Sequence, residues 1–197
     1  MTKKQPFVYL LLFLFWSAEC YAHGPIKGIG DFYNGVLHPF FVPTHLLLLI
    51  SIGLLVGQRG VDSNVRSFLA FVMGIVLGLL FSNSSLQMQM DLILLIPVVL
   101  IGGLVAVNVS INSYLIAALS LFAGFLVGFD SPQDALSDNA IAVGYLGLVT
   151  GAFLLFFNAI GLADFAGKFR WAAIGVRVMG SWTLSISLLM LVFSFEN

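Results

Sequence analysis

The chain has 197 residues; 60% are hydrophobic, only 9% are charged, and the net charge is −1. A soluble domain carries roughly 25% charged residues, so this composition excludes a soluble enzyme and points to a surface that faces lipid, while the charge balance gives no footprint for nucleic acid. The single cysteine, Cys20, excludes an internal disulfide framework and a thiolate metal centre.

Lys3 and Lys4 form a basic start, followed by an apolar run from Phe7 to Trp16 that is too short to span a bilayer. Cys20-Tyr21-Ala22 then reads as a small-x-small cleavage site. The expectation is a cleavable signal peptide over residues 1–22, leaving His23 as the mature N-terminus. Lipidation at Cys20 and an uncleaved anchor are the alternatives; Glu19 stands where a lipobox wants a small residue. Residues 23–39 are expected to be a periplasmic N-terminal segment, and residues 40–197 a six-helix transmembrane domain.

Six apolar runs follow, at 40–57, 65–82, 92–109, 113–129, 141–162 and 172–193. Each is close to the ~20 residues that cross a ~30 Å hydrocarbon core. Arg59 and Arg66 flank the first connection, and Lys168, Arg170 and Arg177 flank the fifth. The second and fourth have no Lys or Arg, and the fourth carries Asp130, Asp134 and Asp138. The positive-inside rule makes odd connections cytoplasmic and even ones periplasmic. Both mature termini are then periplasmic, which agrees with a cleaved signal. The reading is an all-α, multi-pass protein of the bacterial inner membrane, a six-helix bundle behind a signal peptide.

Glycines recur four apart at Gly53/Gly57, Gly74/Gly78, Gly124/Gly128 and Gly147/Gly151. Such pairs let membrane helices approach closely and predict a bundle without naming a function. Pro97 and Gly102-Gly103 predict a kink in the third span.

The three histidines lie between positions 23 and 45. His38 and His45 are seven apart, which on one continuous helix is two turns, or roughly 10 Å. Pro39 suits a first turn and Pro43 also fits a helix starting at 39–41, placing His45 just inside the membrane. An intramembrane histidine is a candidate functional site, and neutral imidazole is the commonest ligand for transition metals. One helix cannot supply a coordination shell, so Asp130, on the same expected face, is the natural second contributor. Asp31, seven before His38, and His23, with its freed amino group, complete the candidate metal set. The bland alternative is that His38 caps a helix and His45 bonds a neighbouring backbone. No catalytic or cofactor-binding residue is expected. Clustered histidines do not suit a haem, and Ser181, Asp91 and Asp164 form no protease constellation. Asp164 and Arg177 are expected to pair across the last cytoplasmic turn.

The stretch from Gly28 to Leu47, with His38-Pro39 and His45, resembles the hydrogenase/urease accessory membrane proteins of the HupE/UreJ family. That family shows a signal peptide, H-P-x-x-G-x-D-H opening the first span, and H-G-x-x-H-G-x-E in the fourth. Here Val42 and Thr44 replace the Gly and Asp of the first motif. The second reads Ala123-Gly124-Phe125-Leu126-Val127-Gly128-Phe129-Asp130, which keeps both glycines, loses both histidines and shortens the acid. A family histidine in the fifth span corresponds to Asn158. The resemblance implies a divergent permease or uptake accessory for a divalent transition metal, nickel or cobalt, which is cargo rather than a resident cofactor. The alternative is a non-transporting assembly or scaffold partner in metalloenzyme maturation, with structural histidines. The expected partners are the bilayer, the metal ion and a helix-mediated oligomer or maturation partner.

Overall fold

A computed structural model of the chain describes residues 28–82, 90–131 and 138–195. The predicted cleavage site, Cys20, His23 and Asp134 lie outside the described residues. Seven helices, and no strand, are found among the described residues: α1 Gly30–Phe41, α2 Pro43–Gly57, α3 Val61–Leu80, α4 Met90–Val107, α5 Ser113–Phe129, α6 Asp138–Gly167 and α7 Arg170–Ser194. Three of them, α4, α6 and α7, are long and apolar enough to cross a membrane; α1 and α2 together make a fourth candidate, bent by 73°. The apolar part of α3 (Val65–Leu80) and α5 are shorter.

The bend is a correction to the expected start of the first span. Pro39 does not open a helix; it lies inside α1, and Pro43 opens α2. The ring of Pro43 crowds the residue before it and keeps that residue extended. Val42 accordingly adopts φ −88°, ψ 107°, and the chain turns there. Upstream, residues 30–41 are helical, with Asp31 in the first turn, where a carboxylate suits the positive end of the helix dipole.

The helices pair through their glycines. A Cβ on Gly74 or Gly78 would fall within 3 Å of α5 backbone, and one on Gly124 or Gly128 within 3 Å of α3 backbone. Gly147 and Gly151 seat α6 against Phe32 and Val36 of α1, and Gly53 and Gly57 seat α2 against Ala159 and Ile160 of α6. Backbones touching at small residues gain dispersion contacts where lipid supplies no hydrophobic drive. The remaining major pair, α4 with α7, meets at Gly102 and Gly180. Helix α2 is the hub. Leu48, Leu49, Ile52, Leu54, Leu55 and Val56 are all fully buried, and α2 touches every other helix.

Polar groups sort to opposite ends of the bundle. At one end Arg59 donates to the Val109 carbonyl, Gln58 to Val105, Arg177 to Ala106 and Arg66 to Ser113. Arg177 is thus a cap on the C-terminal carbonyls of α4, and Asp164 instead neighbours Lys168 one turn away at 3.8 Å. The expected Asp164–Arg177 pair is not formed, because the unpaired carbonyls ending α4 are the nearer acceptors for the guanidinium. At the other end lie His45, Asp130, Thr44 and Asp91, with Ser82 bonded to Tyr145.

Candidate metal centre

Three helices converge on the candidate site. Helix α1 brings His38 in its last turn, α2 brings His45 three residues into its N-terminus, and α5 ends at Asp130. The 73° turn at Val42 changes the expected geometry. The histidine rings are not two turns apart on one helix; their centroids are 5.3 Å apart with planes inclined at 63°.

His45 is fully buried, and its Nε2 lies 3.0 Å from Oδ2 of Asp130, whose side chain is 13% exposed. An ionised carboxylate is an acceptor only, so Nε2 carries the proton and donates it. In a neutral imidazole of that tautomer, Nδ1 carries the lone pair. Nδ1 is itself buried and has no hydrogen-bond partner. A buried nitrogen without a partner is costly unless something occupies it. A carboxylate–histidine arrangement with the second nitrogen free is also how metal-ligating imidazoles are oriented. Asp130, expected to be a ligand, therefore holds the ring that would ligate.

The other expected contributors are not gathered here. Asp31 is in the first turn of α1, about two turns or roughly 10 Å from His38 along the helix. Among the described residues no three His, Cys, Asp or Glu side chains form a group ready to hold a metal. Ala123 and Val127, at the positions of the two lost histidines, are fully buried, and their spacing puts them on the α5 face that carries Asp130. Asn158 is exposed and donates to the Leu154 carbonyl of its own helix, so it takes no part in the site.

One contributor escaped the sequence reading. Thr44, next to His45, donates to Oδ1 of Asp91 at 3.2 Å. Thr44 is 2% exposed, whereas Asp91 is exposed in the first turn of α4. Both line an open cleft of about 310 Å³ with Val42, Pro43, Leu95 and Met190. The signal was present in the first motif, where a residue able to bond a carboxylate stands at the place of a carboxylate.

The chain as a whole was compared with known families. The family model of the HupE / UreJ protein matches residues 10–190. The chain belongs to the HupE/UreJ family. That family is linked to nickel or cobalt uptake and to accessory roles for hydrogenase and urease, and its members are transport or accessory proteins rather than enzymes. Comparison with curated proteins and with solved structures finds no match.

Proposed function

We propose that this HupE/UreJ protein is an inner-membrane permease or uptake accessory for divalent nickel or cobalt, with a periplasm-facing cation site at His45. The observation that carries the reading is a fully buried imidazole whose Nδ1 has no hydrogen-bond partner and whose Nε2 is fixed by Asp130. Nickel and cobalt favour imidazole nitrogen, the ring of His38 stands beside it, and Asp91 lies on the same end at the cleft. The chain would cross the membrane six times, α1 and α2 counting as one span. The apolar part of α3 and the whole of α5, of about 24–26 Å by helical rise, would thin the bilayer locally. The end with every described Lys and Arg would face the cytoplasm, and a signal over residues 1–22 would put both mature termini outside. Few ligands give weak binding, which suits passage rather than storage.

A second reading has its own observation in favour. The face that carries Asp130 is apolar at Ala123 and Val127, so the His45–Asp130 pair can serve as a structural tie in a maturation partner that moves no metal.

The test is nickel binding by the purified protein. His45→Gln keeps a donor for Asp130 but has no ring nitrogen. Provided that its melting temperature stays within a few degrees of wild type, it is expected to lose at least the 10–100-fold typical of a disturbed metal site. Unchanged binding in this variant would leave the scaffold reading standing.

A further inference from the structure

Helix α2 carries a second polar pattern, separate from its histidine. Thr44, Ser51 and Gln58 stand seven apart, so they share one stripe of the helix. Both ends of the stripe are pinned to the same neighbour: Thr44 bonds Asp91 near the start of α4, and Gln58 bonds the Val105 carbonyl near its end. The offset is 47 residues at each contact, so α2 and α4 run parallel in a fixed register. That register places Ser51 level with Val98, halfway along the seam and one residue from Pro97.

The middle of the seam is polar without internal reason. Ser51 is fully buried, yet its Oγ has no hydrogen-bond partner. Ser120 and Ser187, also fully buried in their helices, satisfy themselves on a preceding carbonyl; Ser51 shares its unpartnered hydroxyl only with Ser67 of α3 among the described buried serines. Gln58 spends its amide nitrogen on Val105 and leaves Oε1 buried without a partner. Pro97 has no N–H to give to the Ile93 carbonyl, which removes a donor from the α4 ladder at the same level. A hydroxyl, an amide oxygen and a carbonyl left without its helical donor put oxygen ligands at several depths of one seam. The cleft bounded by Val42, Thr44, Asp91 and Leu95 opens onto the top of this stripe.

We propose that the α2–α4 seam is the permeation path, a file of oxygen ligands for a partly hydrated divalent cation that runs from the Asp91 cleft past Ser51 to Gln58. The proposal rests on the transport reading above and adds the route. Asp91 neutralises the cation at the mouth, hydroxyl and amide oxygens replace some of its water inside, and no site holds it tightly enough to stop it. The route ends where Gln58 meets Val105, so the Gln58 amide closes it on the cationic side.

Single cysteines on a Cys20→Ala background test the route, in sealed membranes treated with aminoethyl methanethiosulfonate and read by mass shift. Ser51→Cys is expected to react, nickel ion is expected to protect it, and Leu48→Cys, equally buried on α2 but off the stripe, is expected to stay unmodified. Ser51→Val is expected to lower nickel uptake into vesicles about tenfold while its melting temperature stays within a few degrees of the wild-type value. A Ser51→Cys as inert as Leu48→Cys, or a Ser51→Val that transports normally, would overturn the route. Neither outcome depends on the His45→Gln binding result, so the site and the path can fail separately.

Discussion

Asp130 shows how one side chain changes role between sequence and structure. The sequence puts a carboxylate and two imidazoles near one membrane face and makes all of them ligands. The geometry gives Asp130 a hydrogen bond to Nε2 of His45, and so the task of fixing tautomer and orientation. We therefore expect Asp130→Asn to weaken nickel binding by roughly 10–100-fold without abolishing it, as measured by isothermal titration. Total loss would mean that Asp130 ligates directly. At the opposite end, Asp164 and Arg177 have separate partners. Lys168 is 65% exposed, so its i,i+4 pair with Asp164 contributes at most about 0.3–0.5 kcal/mol. A double-mutant cycle on Asp164→Ala and Arg177→Ala should give additive changes in thermal stability. Coupling above about 0.5 kcal/mol would restore the pairing expected from sequence.

Elements were legible where a single residue type has one physical use. The four glycine pairs named from spacing alone all lie at helix contacts in which a Cβ would meet backbone. Gly128→Ala should therefore destabilise the purified protein by about 1–3 kcal/mol through overpacking, whereas Gly103→Ala, with nothing within 4 Å of the added carbon, should not. Equal melting temperatures for the two variants would contradict the packing. The first span was less legible, because two prolines four apart each suit a helix start. Only the tertiary setting decides that residues 30–41 are helical against α6 and that the turn falls at Val42. The seven residues from His38 to His45 therefore span a bend and not two turns of one helix. The bend, not the helical repeat, brings the rings to 5.3 Å. Pro43→Ala lifts the restriction on Val42. It is expected to weaken nickel binding without touching a ligand.

At the scale of the molecule, the charge pattern carried most of the information. Of the described arginines, Arg59, Arg66 and Arg177 make their bonds at the end of the bundle where α2 and α4 finish, and the site gathers at the other end. Burial pulls Arg59 below its ordinary pKa while its guanidinium still caps the Val109 carbonyl, a placement that ties this connection to the bundle. The orientation predicts that a reporter active only in the cytoplasm stays silent when fused after Asn197; strong activity would contradict six spans. What the sequence could not yield was the partnership of Thr44 with Asp91, since contacts across 47 residues depend on the register of two helices. The central claim is that a buried imidazole here takes a cation. Nickel K-edge absorption on the loaded wild-type protein and on His45→Gln tests it most directly. The expected result is imidazole back-scattering in the wild type and its loss in the variant. A spectrum of oxygen ligands alone in the wild type, or identical spectra from both proteins, would contradict the claim.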